Sequence, residues 1–160
     1  MLRGKLNADA ISAYSFQRDD KNATYAQLAA EAEQFWEDCR NTGAAVVPTV
    51  MTGWDRRPRV EHPVFWETYQ KPNVGLDKFY APPTPSELSQ HLVHALTWVN
   101  GHPGTAPAKA VLIYAWNEND EGGWLVPTLE GGDWRIRALR SVLLTNQQPT
   151  DTGGRNHGHQ

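Results

Sequence analysis

Apolar residues recur every three or four positions between residues 25 and 39: Tyr25, Leu28, Ala29, Ala32, Phe35, Trp36 and Cys39. That spacing places them on one face of an α-helix. Thr24 with Gln27 reads as a capping box in front of it, and Asn41-Thr42-Gly43 reads as its stop. Ahead of this helix, Asp9-Ala10-Ile11-Ser12-Ala13-Tyr14 is a short strand-like run. Behind it, residues 44–50 (AAVVPTV) are apolar nearly throughout, as in a parallel strand covered on both faces. Pro48 has no N–H to give, so regular pairing is expected to end there. A second helix is announced by Thr84-Pro85-Ser86-Glu87, with a cap, a proline in the first turn and an acid at the third position. Leu88, Leu92, Ala95, Leu96 and Val99 form its stripe, and Gly101 and Pro103 end it. Residues 109–115 (KAVLIYA) form a third strand. Gly131-Gly132-Asp133 then leads into a helix whose Trp134, Ala138, Leu139, Val142 and Leu143 face inward.

Strand followed by helix, three times over, predicts parallel strands with right-handed crossovers. The connections are unequal. Helix-to-strand links are short and plain, whereas strand-to-helix links are long and hold most of the unusual residues, including the whole of residues 51–83. A loop of that length inside a compact domain is usually functional. A β/α barrel concentrates its chemistry on that side, at the C-terminal ends of its strands. The chain has 160 residues, and a complete eight-unit barrel takes about 250. The expected fold is therefore α/β: the C-terminal part of a (β/α)8 TIM barrel, about three β/α units, over residues 1–144. A disordered polar tail is expected over residues 145–160, which are rich in Gly, Asn and Gln. A small open α/β sheet is the alternative.

Charge and composition narrow the function. Fifteen Lys and Arg against eighteen Asp and Glu give a net charge of −3, which argues against nucleic acid as a partner. No apolar run approaches the ~18 residues of a membrane span. The first residues carry charge without an apolar stretch after them, so no signal peptide is visible; a longer version of the chain is compatible with a periplasmic or secreted location. Cys39 is alone, which excludes an internal disulfide and an all-Cys zinc site. Seven tryptophans stand against five tyrosines and four phenylalanines: they either pad the core or, half-exposed, line a groove that stacks on apolar ligand faces, sugar rings among them.

The third strand runs into Trp116-Asn117-Glu118-Asn119-Asp120-Glu121-Gly122-Gly123-Trp124. Glu118, Asp120 and Glu121 are three acids within four residues, flanked by tryptophans. Crowded carboxylates raise one another's pKa, which suits a general acid. A carboxyl pair beside aromatic platforms is what glycoside cleavage uses; a solvated acidic turn is the plain alternative. A calcium loop is rejected, because Thr128 stands where the bidentate Glu belongs and the segment follows a strand. After the second strand come Trp54, Asp55, Arg56, Arg57 and Arg59, in which Arg forks can hold sugar hydroxyls or brace Asp55. His91 and His94 are three apart on a helix without a third ligand, and surface positions are expected for both. No metal or cofactor is expected.

Taken together, Val47-Pro48-Thr49, Gly53-Trp54-Asp55 and Arg57, followed by Trp116-Asn117-Glu118-x-x-Glu121-Gly122, resemble the C-terminal half of glycoside hydrolase family 71/99-like barrels and the related WbsX-type proteins of polysaccharide loci. Residues 8–14 resemble a preceding strand of that fold, and the resemblance covers roughly residues 8–130. It implies a hydrolase acting on α-linked mannan- or glucan-like oligosaccharides and polysaccharides. Glu118 would remove the proton of a sugar 2-hydroxyl, and Glu121 would be the acid/base at the leaving oxygen. Tyr14, Trp54, Asp55, Arg57, Trp116, Asn117 and Trp124 would contact the substrate. Family 99 proper carries Trp-His between its glutamates and Thr after the Gly, where this chain has Asn119-Asp120 and Gly123. The rival readings are a sugar-binding or scaffold protein whose acids do not catalyse, and a WbsX-type protein of polysaccharide synthesis.

Overall fold

Thr24 starts the first helix by closing a ring of bonds: its hydroxyl accepts from the Gln27 amide, and the Gln27 side chain accepts from the Thr24 N–H at 2.8 Å. The computed structural model, which describes residues 7–18 and 21–146, places helix α1 at Tyr25–Asn41. Gly43, at φ +76, turns the chain out of it. Thr84 and Glu87 repeat the device at a second long helix (Pro85–Gly101), which becomes α3 below. Losing such a cap costs about 0.5–2 kcal/mol. Thr24→Ala and Thr84→Ala are each expected to lower the urea unfolding free energy by about 1 kcal/mol, without changing the denaturant slope.

Between the two long helices run strand β1 (Thr49–Met51) and a short helix α2 (Arg57–Glu61). After α3 (Pro85–Gly101) come β2 (Leu112–Tyr114), β3 (Asn117–Glu118), a 3-10 turn (Asn119–Glu121), β4 (Gly123–Trp124) and helix α4 (Trp134–Asn146). β1 pairs in parallel with β2 in the register Thr49 to Leu112, Val50 to Ile113 and Met51 to Tyr114. Ile11 makes a parallel bridge with Val46, through Ile11 N–H to Ala45 O at 2.8 Å and Val47 N–H to Ile11 O at 2.9 Å. Three chain segments thus lie side by side and parallel, in sequence order, within a mixed α/β chain. Among the described residues no helix is long and apolar enough to cross a membrane.

Several elements differ from the sequence reading. The run at residues 9–14 contributes one bridge rather than a strand. Pro48 marks where the ladder begins, not where it ends: its carbonyl accepts from the Leu112 N–H at 2.9 Å, and the three residues after it pair with β2. Lacking only a donor, proline still serves a parallel neighbour as an acceptor. β2 is not covered on both faces, and its Leu112 is half exposed. α4 runs through Thr145 and Asn146, which composition assigned to a tail; the rest of that tail, residues 147–160, lies outside the described residues.

The core joins Leu28, Ala32 and Trp36 of α1, Val50 and Met51 of β1, Leu88, Leu92 and Ala95 of α3, and Leu139 and Val142 of α4. His91 belongs to it as well, contrary to its expected surface position. Its ring stacks on Trp36 at 5.6 Å, and its Nδ1 lies 3.0 Å from Glu33 Oε1. Exposed His94 reaches the same oxygen at 2.9 Å. Burial works against the charge on Glu33, but the bonds to His91 and His94 outweigh it and hold the carboxyl below its ordinary range. Three-residue spacing puts both imidazoles on one side of α3; only the docking of α1 decides which of them is covered. Among the described residues no group of three or more His, Cys, Asp or Glu is arranged to hold a metal ion.

Candidate functional site

Both strand exits, residues 52–55 after β1 and residues 115–124 after β2, meet at one end of the parallel pair. The second exit folds back on itself: β3 and β4 pair antiparallel, Asn117 with Trp124 and Glu118 with Gly123, around the 3-10 turn. Gly122 closes that turn in the left-handed region at φ +79. It also lets the two exits touch, with the Asp55 N–H donating to Glu121 O at 2.7 Å. A Cβ at Gly122 would stand 2.8 Å from Asp55 Cβ and nearer still to the Asp55 amide. Gly122→Ala therefore combines a left-handed backbone penalty of about 1–2 kcal/mol with a backbone clash. Thermal unfolding is expected to show it more destabilising than either cap variant.

The turn presents Glu118, Asp120 and Glu121. Glu118 accepts from the Tyr14 hydroxyl at 2.8 Å, and Glu121 accepts from the Tyr114 hydroxyl. The two tyrosine rings meet edge to face at 5.1 Å. Arg59, on α2, reaches all three acids. Its Nη1 bonds Glu121 Oε1, its Nε bonds Asp120 Oδ2 at 2.7 Å, and its Nη2 lies 3.6 Å from Glu118 Oε2. Nη1 also bonds Glu67 Oε1 at 3.1 Å. Arg56 bonds the other oxygen of Glu67, with its Nε 4.0 Å from Glu121 Oε1. Two guanidiniums thus thread four carboxylates. The side chains of Arg59 and Glu121 are 12% and 11% exposed, whereas those of Glu118 and Asp120 are 30% and 45% exposed. The cluster is open to solvent on the side of Glu118 and Asp120.

The electrostatics follow from these contacts. Tyr14 is pushed up to about 12 by its bond to Glu118, with burial and the neighbouring carboxylates adding to it. Tyr114 is pushed up by burial first, then by its bond to Glu121. Both phenols therefore stay protonated at neutral pH and donate hydrogen bonds to the glutamates. Arg59 holds the Asp120 carboxyl below its ordinary range. The sequence reading, which set three acids against one another, lacked this counter-charge. Asp120 faces the same guanidinium as the two glutamates.

The expected substrate contacts fall into separate groups. Trp54, Asp55, Arg57 and Trp124 come together, with Tyr80 and Asn119, around a cavity of about 230 Å³. The side chains of Glu118 and Glu121 do not line it. Trp54 is 6% exposed and packs on Tyr114 at 5.7 Å, so it is a wall rather than an open platform. Arg57 is clamped by Asp55, Nη2 to Oδ2 at 2.6 Å, and its guanidinium lies 3.7 Å over the Phe79 ring. Trp124 carries the Arg135 guanidinium 3.6 Å above its ring. Arg135 is buried and donates to Thr52 O at 2.8 Å and Trp124 O at 3.1 Å, tying α4 to both exits. Trp116 and Asn117 are exposed and stand outside that cavity. Trp36 packs between helices, as its place on the apolar face of α1 led one to expect, and Trp98 of α3 packs beside it with ring centroids 6.1 Å apart.

Arg59, Glu67 and Tyr114 were missed as site residues. Three arginines in four positions, Arg56 to Arg59, were the available signal for the first; Tyr114 lay concealed in an apolar strand, and nothing local marks Glu67. Comparison with protein-family models, with curated proteins and with solved structures gives no match to this chain.

Proposed function

We propose that this chain is the C-terminal part, about three β/α units, of a β/α-barrel carbohydrate-active enzyme of the family 71/99-like kind, in which Glu118 and Glu121 are the catalytic pair for hydrolysis of α-linked mannan- or glucan-like glycans. One observation carries the reading. Two glutamates three residues apart, at the end of a parallel strand pair, each accept from a tyrosine and lie against one arginine. A carboxyl pair is the chemical requirement of glycoside cleavage. Glu118 is the more open of the two, which suits a base that meets a sugar hydroxyl. Glu121 accepts from both Arg59 and Tyr114, so acting as an acid requires Arg59 to turn toward Asp120 and Glu67, which already share it.

A second reading, a sugar-binding protein without hydrolysis, is favoured by the cavity beside Trp54 and Trp124 that excludes both glutamates. Incubating the protein with α-linked mannan and glucan oligosaccharides separates the two. Release of reducing ends supports the hydrolase. Binding by calorimetry without release supports the binder, and absence of both overturns both.

A further inference from the structure

Residues 64–70, in the long segment between β1 and α3, form two consecutive turns that share Glu67. The Glu67 N–H donates to Val64 O at 3.1 Å, and the Gln70 N–H donates to Glu67 O at 3.0 Å. The shared residue points inward. Its side chain is largely covered, and its carboxylate bonds Arg56 through one oxygen and Arg59 through the other, the latter at 3.1 Å. The corners of the turns point the other way: Phe65 and Trp66 in the first, Thr68 and Tyr69 in the second. Such corners ordinarily carry Gly, Pro, Asn, Asp or Ser. Here Phe65, Trp66 and Tyr69 stand 87%, 61% and 72% exposed.

Single apolar residues on a surface are ordinary, but several gathered in one exposed place mark an interaction site. Phe65 and Trp66 meet edge to face at 4.8 Å, so each ring braces the other while both stay open to solvent. Aromatic faces of this kind stack on the C–H faces of sugar rings. Two observations favour a glycan over the other partners of an aromatic patch. The first is charge. From residue 61 to residue 74 the basic side chains are His62 and Lys71, against Glu61 and the already bonded Glu67, so the patch lacks the Lys and Arg cluster that an anionic membrane surface selects. The second is place. Glu67 ties the turns to Arg59, whose Nη2 lies 3.6 Å from Glu118 Oε2. One guanidinium thus fastens the aromatic turns to the carboxylate cluster.

We propose that Phe65, Trp66 and Tyr69 form a stacking platform for a stretch of polysaccharide chain lying outside the carboxylate cluster. The inference rests on the glycan reading above but not on catalysis. The test is native affinity electrophoresis of the intact chain through gels that hold soluble α-linked mannan or soluble α-linked glucan, with dissociation constants read from the retardation. The three side chains are exposed, so Phe65→Ala, Trp66→Ala and Tyr69→Ala are expected to melt with the wild type. The expected result is retardation of the wild type by at least one polymer, with binding weakened about tenfold, one aromatic contact's worth, in Trp66→Ala and severalfold in Phe65→Ala and Tyr69→Ala. Equal retardation of wild type and all three variants overturns the platform, and reducing-end release from the same polymers then leaves the hydrolase reading standing. Retardation that the variants lose, without release by the wild type, keeps the platform and removes the hydrolase reading. Retardation by neither polymer overturns the proposal. In that case, binding to phosphatidylcholine vesicles that the variants lose assigns the patch to a lipid surface, and a dimer in sedimentation that they lose assigns it to a second copy of the chain.

Discussion

Glu118→Gln and Glu121→Gln are each expected to lower the initial rate of reducing-end release from an α-linked oligosaccharide by about 10²–10⁴-fold if the proposed pair is catalytic, the usual loss when a general acid or base is removed. The two variants separate in stability. Glu118 is partly exposed and holds one hydrogen bond from Tyr14, so Glu118→Gln melts close to wild type. Glu121 is buried and accepts from Arg59 and Tyr114. An amide weakens the charge-assisted bond to Arg59, and bonds to charged groups are worth about 1.5–3 kcal/mol. Glu121→Gln is therefore expected to lose on the order of 1–3 kcal/mol in urea unfolding as well as activity. Asp120→Asn costs far less in rate, since Asp120 meets Arg59 and is the most open of the three acids. If both glutamine variants turn over at wild-type rates, the pair is not catalytic.

Arg59→Met has the largest expected effect on the fold. Removing one partner from a buried ionic cluster costs about 3–5 kcal/mol, because the remaining charges are left uncompensated. Here the remainder is Glu67, Asp120, Glu121 and the nearby Glu118, with Arg56 as the remaining guanidinium. The loss carries a pH signature. Asp120 is depressed in the folded state by Arg59. It therefore contributes stability above its unfolded pKa of about 3.9, and that contribution disappears as pH falls through the folded value. Without Arg59 the crowded acids favour protonation, so acid relieves the variant while it harms the wild type. The stability gap between the two is widest near pH 7 and narrows toward pH 3 in urea titrations. A gap that is constant with pH would mean that Arg59 acts by packing alone. Arg59→Lys, which keeps the charge but not the planar fork, is expected to fall between them.

Much of this protein was local enough to read from its residues. The capping boxes at Thr24 and Thr84 need four consecutive residues each, and the buried stripes of α1 and α3 need only a period. The acidic turn after the third strand and its glycines also stand together in the chain, because a turn that folds back on itself uses neighbours. Strand lengths were less legible, since a parallel ladder depends on a partner about 60 residues away, and Pro48 serves such a partner as an acceptor.

What the sequence determined by itself was the order of the three long helices and the two paired strands between them, the starts of those helices and the loop that carries Glu118 and Glu121; the short helix at Arg57–Glu61 and the β3–β4 hairpin lay in segments read as loops. Only the tertiary structure decided which charges meet. Arg59 reaches Asp120 across 61 positions, and Tyr14 reaches Glu118 across 104. It also buried His91 against Trp36, turned Trp54 into a wall and split the expected substrate contacts between two places. Ion pairing and burial act through space, where residues far apart in the chain become neighbours only after the helices have docked on the strands.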